Sequence, residues 1–437
     1  MQGALRIDQR APLAQSAGVA TFLLMLSCTD GFLKNTHGNF VFYILKDAAL
    51  LALIFSAALW ISARPQERPR GRWQGLGIWL LFMGYMVAQV FNPGSDITAN
   101  IAGFRANALF ALLFLVGAVF FTSTKRFAKT ADVALFWIVV AATAGIFQAL
   151  FPNAWNSLSP GLAFVSHKYT NWVSTGTGLA TAVARAYGTL VDPAAMGLAC
   201  AAGFILAAGA LPRASARGVF WCLVAMLIAG LTLVFSGSRL SMAGLGAGLL
   251  TMALLSLRYK EMRRSALVAV TVALLAVPVG FHAGGRAAVG RFTQNSLDYA
   301  GMTRARSEAI VLASLPSHPF GLGLGATGAG GRVNNTRANS VAVDNVYFAT
   351  LYQSGVAGLV LFAALQATFL FLAVKNATKA RTVTARALYI TLASLQVALL
   401  VAGIWTQGAF NYAPVCQVFW LLSGALPLPK RVEGEPS

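Results

Sequence analysis

The chain has 437 residues, of which 57% are hydrophobic and 11% are charged, and its formal net charge at pH 7 is +20. A soluble domain needs more charged residues than this to cover its surface, about a quarter of the total. Apolar runs of about 18 to 25 residues recur along the chain, and a run of that length crosses a bilayer core as a helix. The composition therefore excludes an ordinary soluble protein and predicts an integral membrane protein.

Taken in chain order, the apolar runs predict about twelve spans in one membrane domain, residues 1–437. Helices of this length favour an all-α polytopic fold, because lipid leaves backbone groups without water partners. Two connections are long enough to hold structure of their own, residues 152–188 and residues 284–343, the latter between the ninth and tenth helices. The predicted spans are centred near residues 25, 51, 83, 113, 141, 200, 226, 249, 274, 357, 395 and 420.

Basic connections alternate along the chain with less basic ones. Positively charged loops stay in the cytoplasm, so both termini are predicted to be cytoplasmic and the intervening connections external. This distribution accounts for the net charge without nucleic acid as a partner. The basic segments are "ARPQERPRGR", "TKRFAK", "PRASAR", "RYKEMRR", "KNATKARTVTAR" and the tail "PKR".

Nine arginines nevertheless fall in segments that this topology places outside. Arginine suits phosphate, because its planar fork binds oxygens in pairs and keeps its charge. Pairing with lipid headgroups, or with Asp298 and Glu308, is the alternative, but two acids cannot neutralise the whole set. The set predicts a phosphate-binding surface and consists of Arg105, Arg185, Arg239, Arg286, Arg291, Arg304, Arg306, Arg332 and Arg337.

Charged residues also occur inside a predicted span. Lys46 and Asp47 lie in the second span, where they are expected to form an internal pair or to line a cavity.

Four patterns organise the late part of the chain. They are "RAYGTLVDPAAMG" from Arg185, "FSGSRLSMAG" around Arg239, "TRARSEAIVLASLPSHPFGLGLG" with Arg304, and "DNVYFATLYQSGVAG" from Asp344. The third is predicted to form an amphipathic helix, a proline-containing turn and a glycine-rich loop. Its extension "GLGATG" fits a dinucleotide fingerprint, but that motif has meaning only between a strand and a helix. Backbone flexibility or close approach to a ligand explains these glycines better.

Together the four patterns resemble the O-antigen ligase and polysaccharide polymerase superfamily of bacterial inner membranes. They are similar to its Arg-Gly-Pro stretch, its Ser-Arg-small motif, its Arg…His-Pro…Gly-x-Gly block and a segment ending in Gly-x-x-Gly. The resemblance implies a GT-C-like glycosyltransferase architecture with its active site at the periplasmic face. There an oligosaccharide would move from undecaprenyl diphosphate to a hydroxyl of another glycan. No nucleotide, metal or other cofactor is expected, and the sequence has no close Asp/His/Glu group with metal-ligand spacing.

One position distinguishes two branches of this superfamily. Ligases that load O-antigen onto lipid A-core commonly carry His-Asn where this chain has Asp344 and Asn345, and an acid there is more like the polymerases. The expected function is therefore an O-antigen or exopolysaccharide polymerase, with a ligase as the alternative and a transporter or flippase of lipid-linked oligosaccharides as a further one. The expected partners are an undecaprenyl-diphosphate-linked donor, a glycan acceptor, membrane lipids and a chain-length regulator.

The transfer needs cations at the leaving diphosphate and a base beside the attacking hydroxyl. Asp344 is the candidate base, and Arg185 and Arg304 are candidate diphosphate ligands. Asp is also a favoured helix N-cap, so Asp344 could serve as base, as cap or as both. A structural role is the alternative for His318, which lies in a Ser-His-Pro turn. The candidates for substrate binding are Arg239, Arg306, Arg291, Asn345, Tyr347 and His318.

Overall fold

The structure is a computed structural model. It describes residues 11–37, 41–63, 75–121, 123–159, 161–163, 170–174, 180–283, 296–328, 341 and 343–427. Arg291, one of the predicted binding residues, lies outside these ranges, as do Arg286, Arg332 and Arg337.

The described residues are predominantly helical, as predicted. The helices of the first half are α1 Ala11–His37, α2 Val41–Ala63, α3 Leu76–Val90, α4 Ile97–Asn107, α5 Leu113–Phe120, α6 Thr124–Leu150 and α7 Pro152–Ser157. Those of the second half are α8 Pro193–Ala210, α9 Ala216–Ser236, α10 Arg239–Ser256, α11 Lys260–Ala283, α12 Ser296–Ser314, α13 Val346–Lys379, α14 Val383–Gly403 and α15 Val415–Ser423.

Seven helices among the described residues are long and apolar enough to cross a membrane, namely α6, α8, α9, α10, α11, α13 and α14. An eighth span results if α4 and α5, bent by 48°, are counted as one. A helix lies at each of the twelve predicted centres, but α15 has only 9 residues. That is a length of about 14 Å, against a hydrocarbon core of about 30 Å. The chain is thus a multi-pass membrane protein, while a total of twelve spans stays a prediction.

Helix α8 occupies the centre of the bundle, with every residue from Ala195 to Ala210 buried. Its sequence is rich in Ala and Gly, and small side chains let neighbouring helices approach closely in membranes. A Cβ on Gly203 would lie 2.6 Å from Ile138 of α6, and a Cβ on Gly209 would overlap Thr391 of α14. The small residues therefore fix the spacing of the central helices.

The first long connection contains a β-hairpin that the all-α prediction did not include. Strands β1 Thr170–Ser174 and β2 Ala180–Ala184 pair antiparallel, with Thr170 opposite Ala184. Their sequences, "TNWVS" and "ATAVA", carry the Thr, Val and Trp residues that favour strands.

Helix α13 is broken at Gly355, where φ is 66° and ψ is −169°. This conformation is almost exclusive to glycine. The break interrupts helical hydrogen bonding, and backbone groups inside a membrane protein need internal partners. The segment Pro319–Gly323, which follows α12, supplies them. Its three backbone bonds are Leu322 N to Tyr352 O at 2.9 Å, Gly323 N to Gln353 O at 2.9 Å and Val356 N to Pro319 O at 3.2 Å.

The segment Pro319–Gly323 and the glycine-rich residues after it are held from the other side by α3, α4 and their connection. Gln89 Nε2 donates to Phe320 O at 3.0 Å, Ser95 Oγ donates to Leu322 O at 2.7 Å, and Asn100 Oδ1 accepts from Gly325 N at 2.8 Å. Gly323 has a φ of 93°, and a Cβ there would lie 2.6 Å from Asn100 Oδ1. These glycines serve the close approach of protein segments, in contrast to the flexibility or ligand contact expected from sequence.

We predict that Gly355→Ala destabilises the protein, because the added Cβ would overlap the carbonyl oxygen of Pro319 in a conformation that L residues avoid. The expected loss is about 1–3 kcal/mol, measured as a lower thermal unfolding midpoint in detergent. Gly246→Ala in α10 is the matched control, since a Cβ there meets nothing within 4 Å and helix propensity favours Ala by about 0.5–1 kcal/mol. Equal midpoints for the two variants would contradict the structural role of Gly355.

Candidate functional site

The ends of four helices meet at one end of the bundle and bring most of the predicted site residues there. A Cβ on Gly244 of α10 would lie 3.3 Å from Ala402 of α14, and a Cβ on Gly403 would lie 2.8 Å from Val346 of α13. The start of α10, the end of α14 and the start of α13 are therefore neighbours. Together with the end of α9 they form what we call the arginine end, which the charge pattern predicts to be external.

Arg304 and Asp344 form an ion pair at the arginine end. Arg304 Nε lies 3.4 Å from Asp344 Oδ2, and the two side chains are 34% and 61% exposed. Burial of Val311 against Val343 and Tyr352 packs α12 on the start of α13. An exposed pair of this kind contributes less than about 1 kcal/mol. Both charges therefore remain accessible to a ligand.

The N-cap of α13 is Asn345, the residue after Asp344. Asn345 Oδ1 accepts from Tyr347 N at 2.9 Å and from Phe348 N at 3.4 Å, and its side-chain amide donates to Glu308 Oε1 at 3.4 Å. Because Asn345 is buried and caps the helix, the carboxylate of Asp344 is not needed for capping. The sequence left Asp344 open as a base, a cap or both, and the structure has Asn345 as the cap.

Tyr347, His318 and Arg306 differ in how far they are engaged by the protein. The Tyr347 hydroxyl donates to Leu400 O of α14 at 2.7 Å, so it links two helices. His318 is exposed, and its Nδ1 lies 2.9 Å from the hydroxyl of the preceding Ser317. Arg306 lies two residues after Arg304 on α12 and is exposed. Of these three residues, Arg306 and His318 are the ones open to solvent.

Arg185 and Arg239 lie at the turn between α9 and α10. Arg185 Nε donates to Ser236 O at 2.8 Å and its Nη2 to Gly237 O at 3.5 Å. These carbonyls end α9, where a helix leaves acceptors unsatisfied and favours positive charge. Arg239 is the first residue of α10. Four of the predicted arginines in the described part of the chain thus form two groups, Arg304 and Arg306 on α12 and Arg185 and Arg239 at this turn.

Lys46, Asp47 and Arg105 have partners that differ from those expected. Lys46 Nζ lies 3.1 Å from Asp30 Oδ2, and Arg105 Nε lies 2.5 Å from Asp47 Oδ2. Lys46 and Asp47 do not pair with each other, because adjacent helical residues point in different directions. The alternative expected from sequence, that these residues line a cavity, is confirmed for Lys46. Arg105 is one of the arginines predicted to be external. Its partner, Asp47 of α2, is a third acid, beside Asp298 and Glu308, that can neutralise an arginine of this set.

Sequence reasoning missed a line of amides that continues the site into the bundle. Asn107 Nδ2 donates to Gln353 Oε1 at 3.2 Å, and Asn411 Nδ2 donates to Asn107 Oδ1 at 2.7 Å. All three residues line a small cavity of about 30 Å³ that also touches Val346, large enough for a water molecule. In the sequence, the signal that could have indicated these residues is an Asn or Gln within an otherwise apolar run.

No protein-family model matches this chain, and no curated protein matches it. The resemblance to the ligase and polymerase superfamily therefore rests on the four sequence patterns. Within the part of the chain that the structure describes, no group of three or more His, Cys, Asp or Glu residues could hold a metal ion.

We predict that Asn345→Ala lowers the free energy of unfolding by about 1 kcal/mol, because two backbone donors of α13 lose their acceptor. Asp344→Ala should change it by less than about 0.5 kcal/mol, because it removes only an exposed ion pair. Unfolding of the two purified variants in detergent measures the difference. A larger loss for Asp344→Ala than for Asn345→Ala would return the capping role to Asp344.

Proposed function

We propose that this chain is a polysaccharide polymerase of the bacterial inner membrane. It transfers an oligosaccharide from undecaprenyl diphosphate to a hydroxyl of another lipid-linked glycan at the periplasmic face. The single observation that carries the proposal is the accessible pair of Arg304 and Asp344 at 3.4 Å. Glycosyl transfer needs a cation at the leaving diphosphate and a base at the attacking hydroxyl, and this pair supplies one candidate for each. A GT-C-like architecture with about twelve spans is part of the proposal.

In the proposed reaction, Arg304 exchanges Asp344 for the donor diphosphate as its partner. A donor diphosphate carries more negative charge than one carboxylate, so it competes for the guanidinium of Arg304. Transfer of Arg304 to the diphosphate leaves the Asp344 carboxylate free for the acceptor. The acceptor oxygen then bonds to the anomeric carbon, its proton passes to Asp344, and the diphosphate leaves with the electrons of the broken C–O bond.

The second arginine group supports the same donor. Arg239 opens α10, and the first turn of a helix favours negative charge. Arg185 donates hydrogen bonds to the carbonyls of Ser236 and Gly237. Its role is therefore to fix the turn on which Arg239 lies. Arg306 is exposed on α12 two residues after Arg304, a spacing that directs the two side chains to different faces, so it is a separate candidate contact for phosphate oxygens.

A transporter of lipid-linked oligosaccharides is the second candidate, because two helical elements are broken. These are α4 with α5, bent by 48°, and α13 at Gly355. Transporters commonly bind substrate at such breaks. In α13, however, the segment Pro319–Gly323 occupies the break with three backbone hydrogen bonds. That occupancy favours a structural break over a transport site.

One assay distinguishes these functions. Purified protein in liposomes is given undecaprenyl-diphosphate-linked oligosaccharide, and the products are separated by size. A ladder of longer glycans with released undecaprenyl diphosphate supports the polymerase. A single transfer that requires added lipid A-core supports the ligase, which is the alternative that Asp344 in place of His disfavours. Movement of the lipid across the bilayer without a new glycosidic bond would support the transporter function.

We predict that Asp344→Asn lowers the rate of polymer formation by about 10²-fold or more, the usual contribution of a general base. The amide keeps the size of the side chain but does not accept the proton, and the cap at Asn345 is untouched. Lys379→Gln, an exposed change at the far end of α13, is the control and should be fully active. Full activity of Asp344→Asn would remove Asp344 as the base.

We predict that Arg304→Ala abolishes polymer while the amount of protein in the membrane is kept. Loss of one fixed donor at a developing charge typically costs about 10²–10³-fold in rate. Glycan length on gels, normalised to protein level, measures the effect. Polymer of normal amount and length in this variant would exclude Arg304 from the diphosphate site.

A further inference from the structure

A second and larger cavity lies at the arginine end, with a volume of about 160 Å³. Its lining comes from α1, α2, Phe110 between α4 and α5, the approach to α8 at Leu190 and Val191, and the connection between α14 and α15. A cavity of about 150 Å³ can hold benzene, so this one has room for a phosphate group. The predicted site residues do not line it.

Three charged side chains line this cavity, and two of them are cations. Asp30 Oδ2 accepts from Lys34 Nζ at 2.6 Å and from Lys46 Nζ at 3.1 Å. Asp30 is 7% exposed and Lys46 is 8% exposed. Two ammonium groups thus share one carboxylate oxygen inside a membrane protein, where charged side chains are costly and mark function. Among the lining residues, two cations accompany one carboxylate, so the cavity favours an anion.

Asn411 connects this cavity to the smaller cavity beside α13. It lines both cavities and donates to Asn107 Oδ1 at 2.7 Å. Asn107 in turn donates to Gln353 of α13, the helix that starts directly after Asp344 and Asn345. The two cavities are therefore linked through the hydrogen-bonded side chains of Asn411, Asn107 and Gln353. We call the larger one the lysine cavity, and its charged residues are distinct from Arg304 and Asp344.

We propose that the lysine cavity binds a second phosphate-containing group. Lysine binds phosphate as a point charge, and two lysines facing one space suit the oxygens of a phosphoryl group. Two sources share this chemistry, the diphosphate of a lipid-linked acceptor and free pyrophosphate. The lipid source rests on the proposed function, since a polymerase uses a lipid diphosphate for the donor and another for the acceptor. In that case the arginines hold the donor and the lysine cavity holds the acceptor.

Lys46→Gln tests the proposal without depending on turnover. The substitution removes one charge, and the Asp30–Lys34 pair at 2.6 Å within α1 remains, so the buried carboxylate keeps a cationic partner. Lys379→Gln removes a charge from the exposed far end of α13 and is the matched control. Full-length protein in nanodiscs is titrated with undecaprenyl diphosphate, and native mass spectrometry counts the bound lipids. Inorganic pyrophosphate is titrated separately in the Arg304→Gln background, so that the pair at the start of α13 does not contribute.

The expected result is two bound lipid diphosphates for wild type and for Lys379→Gln, and one for Lys46→Gln and for Arg304→Gln. A tenfold or greater loss of pyrophosphate affinity in Lys46→Gln, with the lipid count unchanged, supports the site with the free anion as its source. Unchanged lipid count and unchanged pyrophosphate affinity would overturn the proposal. If two lipids bind but no glycosidic bond is ever made, the lysine site stands and the polymerase fails.

Discussion

The insertion of Pro319–Gly323 into the break of α13 is the contact on which the arginine end depends. Because Gly355 leaves the helical conformation, backbone groups near it need partners, and the inserted segment provides three hydrogen bonds. That segment begins five residues after the end of α12. Its position therefore determines where α12 lies, and α12 carries Arg304 to within 3.4 Å of Asp344.

The two charged clusters of the arginine end differ in how firmly they are held. The Arg304–Asp344 pair is largely open to solvent and adds little to stability, so its members can change partners without unfolding the protein. The Asp30–Lys34–Lys46 cluster is buried, and removing one member of a buried pair generally leaves a costly charge behind. The exposed pair can therefore rearrange at little cost, whereas the buried cluster is fixed in place.

The sequence was sufficient for the helical membrane architecture and for the helix, turn and glycine loop after residue 303. Apolar periodicity locates a helix well, but it does not reveal that α15 has 9 residues or that α13 breaks at Gly355. Asp344 and Asn345 are both good N-cap residues, so only the backbone geometry decides between them. The partners of Lys46 and Asp47 come from α1 and α4, and a pattern along one helix does not determine contacts between helices.

The break at Gly355 divides α13 into a short first part and a long second part, which have different partners. The first part, Val346–Ser354, bonds to the segment after α12 and carries the cap at Asn345. The second part continues to Lys379 as an apolar helix. Residues 296–355 would therefore have to be transplanted together in a chimera to keep these hydrogen bonds. A chimera that contained only α13 would separate the carbonyl oxygens of Tyr352 and Gln353 from the N–H groups of Leu322 and Gly323 that donate to them.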